Sequence, residues 1–143
     1  MPVSVYAERI GAWQSKAELE AAIRDYTEVI RLDPKAVTAY GSRGRALFDK
    51  GDTVGAIKDL SDAIRLDPMF LDAYFDRGVA WADRGNESAA IRDYTKVIEL
   101  DPASAIAYYN RASVWRSKGD TDAAIKDETE AIRLDPSLEP RRP

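Results

Sequence analysis

Val29-Ile30-Arg31-Leu32-Asp33-Pro34 returns as Ala63-Ile64-Arg65-Leu66-Asp67-Pro68, then as Val97-Ile98-Glu99-Leu100-Asp101-Pro102, and again as Ala131-Ile132-Arg133-Leu134-Asp135-Pro136. Each step from one of these prolines to the next is 34 residues. Four copies at one spacing mean an internal repeat, in which a single supersecondary unit is used again and again.

Each period holds two helical patterns. In residues 37–70, Tyr40, Gly44 and Leu47 fall at i, i+4 and i+7 and form one stripe. Gly51 breaks that pattern, and Asp52 is a good N-cap for a second helix whose apolar stripe is Ala56, Ile57, Leu60, Ala63 and Ile64. Pro68 cannot continue this helix and pushes Asp67 out of helical angles. The unit is therefore helix, tight turn, helix, stop. The plan recurs in 71–104 around Gly85-Asn86 and in 105–138 around Gly119-Asp120. One such hairpin cannot bury both faces, so neighbours must stack into a solenoid. Mid-helix glycines Gly44 and Gly78, with Ala112 in step, point to close helix–helix approach rather than to a phosphate-binding loop.

These residues resemble the tetratricopeptide repeat, whose bulky, small, large, alanine, aromatic and proline positions are filled by Tyr40, Gly44, Leu47, Ala56, Leu60, Ala63 and Pro68 in the first regular copy. The resemblance implies an all-α, right-handed superhelical α-solenoid of helix-turn-helix hairpins. Residues 1–138 are expected to form a single domain, with 3–36 a degenerate first repeat, 37–70, 71–104 and 105–138 regular repeats, and 139–143 a short tail. It also implies a protein-interaction scaffold, in which the first helices of successive hairpins line a concave groove for an extended peptide or a helix. The groove positions carried over are Arg45 and Phe48, then Asp72, Phe75, Asp76 and Val79, then Tyr109, Asn110 and Arg116. Aromatic and arginine side chains are the usual energetic centres of interfaces. The alternative for the rings is sideways packing between repeats.

Some family members clamp a terminal carboxylate with two lysines, two asparagines and an arginine. The matching positions here hold Gly41, Arg45, Asp76, Ile106 and Asn110, or, one unit earlier, Ala7, Gly11, Ser42, Asp72 and Asp76. Neither set reproduces the clamp, so a partner with basic as well as apolar groups fits better.

Composition removes other functions. The chain of 143 residues has no cysteine and no histidine. Disulfides, thiolate chemistry, the usual general base near neutral pH and the commonest metal ligands go with them. The lysines of the regular repeats, such as Lys58 and Lys96, sit at polar offsets and lack the desolvation a nucleophile needs. No enzyme, cofactor or metal is expected. The 21 basic residues are interleaved with 25 acidic ones for a net charge of −4, which argues against nucleic acid. No apolar run approaches a membrane span, and residues 1–15 show no leader pattern, so a cytoplasmic location is expected.

Arginine stands at 9, 43, 77 and 111, and aspartate follows sixteen residues later at 25, 59, 93 and 127. An Arg–Asp ion pair joining the helices of one unit, or adjoining units, is expected. The ends differ from the middle. Ser15-Lys16-Ala17-Glu18 fits a capping box that starts a helix at Lys16, while Ala17 and Ile10 replace the small residues of later copies. Either the chain turns near Gln14–Lys16 or one long helix runs from about Tyr6 to Leu32. At the other end, Ser137–Pro143 cannot supply a covering helix, although Glu128 replaces the apolar Tyr26, Leu60 and Tyr94 as a partial polar cap. Uncovered ends give the alternative function: a self-associating scaffold, as a homodimer or an end-to-end oligomer.

Overall fold

The computed structural model describes residues 15–140. Seven helices follow in order: α1 Lys16–Leu32, α2 Val37–Lys50, α3 Thr53–Leu66, α4 Leu71–Asp83, α5 Glu87–Leu100, α6 Ala105–Lys118 and α7 Thr121–Leu134, then a 3-10 turn, Pro136–Leu138. No strand occurs among the described residues. α2 pairs with α3, α4 with α5 and α6 with α7, and each hairpin packs on the next. The result is an all-α solenoid.

Every second helix ends on the leucine two residues before proline, at Leu32, Leu66, Leu100 and Leu134. The proline is only half of the stop signal. The intervening aspartate leaves helical angles (φ −138 to −142°), and its carboxylate accepts the backbone N–H two residues on, at 3.0–3.1 Å in all four copies. Inside each regular hairpin the chain reverses through glycine at φ 99°, 78° and 93°, a left-handed conformation in which a Cβ is strained. Asp52, Asn86 and Asp120 then cap the second helices by accepting from the N–H groups of Gly55, Ala89 and Ala123.

Close approach explains the small residues. A Cβ built on Gly44 would lie 2.8 Å from Leu60 Cγ, and one on Gly78 would lie 2.8 Å from Tyr94 Cε1. At the third site Ala112 is tolerated because its counterpart across the hairpin, Glu128, reaches out to Arg116. The core runs along the solenoid axis, with Leu60, Ala63 and Ala73 in one cluster and Tyr74, Phe75, Ala90, Tyr94, Val97 and Val114 in the next.

The first copy departs from the rest. Ser15 is extended (φ −154°, ψ 160°) and its Oγ accepts from Glu18 N at 3.1 Å, so α1 starts at Lys16 as the capping box predicts. The alternative of one long helix from Tyr6 to Leu32 is thereby overturned, because Ser15 breaks the helix. Residues 3–14 of the first repeat lie outside the described residues, as does Arg9. α1 is 17 residues long where the other second helices have 14. Ala17, in place of a turn glycine, lets the helix begin three residues early. Val29 on α1 is 45% exposed, whereas its counterparts Ala63, Val97 and Ala131 are 0% exposed. Replacing Ser15 with alanine is expected to cost about 1 kcal/mol and to fray the first turn of α1. Faster hydrogen exchange at the Glu18 and Leu19 amides, with α3–α7 unchanged, would report it.

Candidate functional site

The first helices α2, α4 and α6 lie in succession, and α2 touches α4 directly. On α2, Arg45 and Phe48 are half-buried. On α4, Asp72 is exposed and Val79 half-buried, while Phe75 and Asp76 are only 5% and 4% exposed. On α6, Tyr109 is half-buried, Asn110 is 5% exposed and Arg116 is exposed. Phe75 meets Tyr94 edge to face, ring centroids 5.9 Å apart, so this ring packs between α4 and α5. Arg116 forks onto Glu128 of α7 at 2.7–2.8 Å. The expected positions thus divide into half-buried or exposed side chains (Arg45, Phe48, Asp72, Val79, Tyr109, Arg116) and a buried layer (Phe75, Asp76, Asn110).

That layer holds a polar cluster not anticipated from the sequence. Burial pushes the Tyr94 phenol well above its usual range, the Asn110 amide offsets part of this, and the carboxylates of Asp93 and Asp76 add to it. Tyr94 therefore stays a neutral O–H at any ordinary pH. Asn110 Oδ1 is buried without a hydrogen-bond partner. Nothing in a single sequence marks such a cluster, since Tyr94 fills a slot that Leu60 fills elsewhere.

The arginine–aspartate pairs form as expected in all three regular hairpins. Arg43 grips Asp59 with Nε and Nη2 at 2.6 and 2.8 Å, Arg77 grips Asp93 at 2.8 and 2.8 Å, and Arg111 grips Asp127 at 2.7 and 2.8 Å. The third nitrogen reaches back to the preceding hairpin: Arg43 Nη1 donates to Thr27 Oγ1 (3.2 Å), Arg77 Nη1 to Ser61 Oγ (3.1 Å) and Arg111 Nη1 to Thr95 Oγ1 (3.0 Å). Each guanidinium also lies over the tyrosine three residues before it, 5.5–5.9 Å from the ring centroid. One side chain therefore ties both helices of a hairpin and the hairpin before it. The hydroxyls at 27, 61, 95 and 129 recur at the repeat period and could have signalled this. The pair is a structural rivet that engages Arg43, Arg77 and Arg111 within the helix stack.

Two surface clefts of about 500 and 490 Å³ sit at hairpin turns, bordered by Trp81, Arg84 and Lys118 and by Trp115, Lys118 and Asp120. Lys118 bonds Ser88 across the first. No cluster of three or more metal-binding side chains occurs among the described residues, and no described helix is long and apolar enough to cross a membrane.

Stacked, arginine-riveted hairpins define a helical-repeat scaffold protein. Sequence profiles described as TPR repeat and tetratricopeptide repeat match residues 44–85, 71–104 and 88–139. The chain belongs to the tetratricopeptide repeat family, whose members are generally scaffolds for protein–protein interaction rather than catalysts. Among solved structures it is similar to a crystal structure of MamA, at 31% identity over 85% of this chain and 71% of that one, with a TM-score of 0.81. A MamA RS-1 ArsTM double mutant (21% identity, 94% and 76% covered, TM-score 0.81) and a further MamA crystal structure (23%, 99% and 98%, 0.67) share the fold. The curated proteins contain no match to the sequence.

Proposed function

We propose that the chain is a non-catalytic, cytoplasmic scaffold, acting as one domain over residues 1–138, that holds a peptide or helical segment along α2, α4 and α6. The observation that supports this is the row of half-buried Phe48, Val79 and Tyr109 on three successive first helices, set among Arg45, Asp72 and Arg116. Phe75, Asp76 and Asn110 on the same helices are buried. Rigid helices hold the row in place before a ligand arrives, which limits the entropy lost on binding. No nucleic acid, membrane or cofactor is required.

The test compares proteins captured by the wild type with those captured by Phe48→Ala and Tyr109→Ala. Both rings are half-buried, and Phe48 also packs against the cluster of Tyr74 and Phe75, so retained folding is part of the test. A partner held by the wild type and lost by both variants, with helical circular dichroism retained, supports the groove. Equal capture by all three proteins refutes it.

A second reading, self-association through the solenoid ends, draws on a separate observation. Ile125 on α7 is 51% exposed and Val29 on α1 is 45% exposed, on the last and the first of the described helices. Apolar surface of this kind on the outer helices of the described array favours stacking.

A further inference from the structure

The face that α5 turns toward the next hairpin carries Ile91, Thr95 and Ile98, and its counterpart on α7 carries Ile125, Thr129 and Ile132. α6 covers the α5 face. Ile91 and Ile98 pack against the cluster that includes Ala107 and Val114 of α6, and Arg111 Nη1 donates to Thr95 Oγ1 at 3.0 Å. The same bond recurs where α2 meets α1 and where α4 meets α3, with Arg43 on Thr27 and Arg77 on Ser61. Among the described residues α7 packs chiefly on α6 and on the short 3-10 turn. Ile125 is 51% exposed, whereas Ile23, Ile57 and Ile91 are half-buried.

Thr129 is prepared for the same bond. Its O–H donates to Ile125 O at 2.7 Å, as that of Thr95 donates to Ile91 O at 2.7 Å. The hydrogen is committed, so the oxygen can act further only as an acceptor. Thr95 fills that role with Arg111, while Thr129 meets no donor among the described residues. Whatever covers α7 must bring an N–H donor to this point and apolar atoms to Ile125 and Ile132. The three internal contacts show what does so: a helix with an arginine whose guanidinium lies over the tyrosine three residues before it. Charge points the same way. α7 carries four carboxylates against Lys126 and Arg133, and α6, the internal precedent, carries Arg111, Arg116 and Lys118 with no acidic residue.

We infer that the outer face of α7 docks an amphipathic, arginine-bearing helix of another protein, in the register in which α6 covers α5, with that arginine donating to Thr129 Oγ1. The contact continues the stacking interface that already joins one hairpin to the next. A second copy of this chain is the weaker fit. The Tyr-x-x-Arg arginines of its described helices, Arg43, Arg77 and Arg111, each already hold an aspartate and a hydroxyl. The inference is independent of the groove, and it shares with the self-association reading only the exposed α7 face.

The probe is a helix-stabilised peptide with the sequence of α6, Ser104–Lys118, whose binding to the full chain is read by fluorescence anisotropy. The wild type is expected to bind it, and Thr129→Val to bind about tenfold more weakly through loss of one charge-assisted hydrogen bond. Ile125→Glu should abolish binding, since it sets a charge in the apolar contact. Arg111→Ala in the peptide should weaken binding to the wild type about tenfold and make no further difference to Thr129→Val. Both altered side chains of the chain are exposed, and helical circular dichroism shows that each variant is folded. Absence of binding to the wild type overturns the inference. So does equal binding of the arginine and alanine peptides, because the Thr129 acceptor is then not read. Binding that survives Ile125→Glu and falls in Phe48→Ala places the peptide in the groove: the α7 inference fails while the groove reading stands. Dimers in sedimentation that are lost in Ile125→Glu, with no peptide bound, make a second copy the occupant and also overturn it.

Discussion

Arg77→Ala is expected to destabilise the protein by about 3–5 kcal/mol, because it strands the Asp93 carboxylate in a nearly dry interface. Asp93 is 4% exposed, and the two guanidinium nitrogens at 2.8 Å are its partners. Removing the arginine also deletes the bond to Ser61 and the contact with the Tyr74 ring, so the effect spreads to the preceding hairpin. A melting temperature lower by about 10 °C is the expected readout for a chain of this size. The paired change Arg77→Met with Asp93→Leu should recover much of the loss, since an apolar pair carries no desolvation penalty. If Arg77→Ala melts within a degree or two of the wild type, the rivet has no energetic weight and the pairing only decorates the fold.

Gly44→Ala is the second large effect, and its sign runs against helix propensity. Removing a mid-helix glycine favours the helix by about 1 kcal/mol. Against this, the new Cβ would meet Leu60 Cγ at 2.8 Å and the Ala56 carbonyl oxygen at 3.2 Å, atoms that cannot swing aside without moving α3. Overpacking of this kind costs about 1–3 kcal/mol, so a net loss of up to about 2 kcal/mol is expected from denaturant midpoints. Ala112→Gly supplies the contrast. It relieves no clash and should lose about 1 kcal/mol through propensity alone. A stabilised Gly44→Ala would mean that α2 and α3 can separate freely, contrary to the packing described.

Local chemistry made much of the fold legible. Helix ends are set by φ and ψ at single residues, and proline at 68, glycine at 51 and the caps at 15 and 52 act within a few positions of themselves. The Arg–Asp spacing of sixteen residues was visible because both members recur at the repeat period. Phe75 was less legible. It occupies a groove offset in the repeat register, yet its ring lies against Tyr94. Which side of a first helix a ring takes depends on the space between hairpins, and no periodicity encodes that space.

By itself the sequence determined the period, the hairpin, the stop after each second helix and the partner of each internal arginine, because all of these follow from short-range backbone preferences repeated in step. Only the tertiary structure decided the third bond of each guanidinium, the polar layer of Tyr94, Asn110 and Asp76, and the exposure of Val29, Asp25 and Ile125 at the ends. Those features depend on how one hairpin is offset from the next. That offset is the sum of many side-chain contacts between hairpins, and no short stretch of the chain carries it.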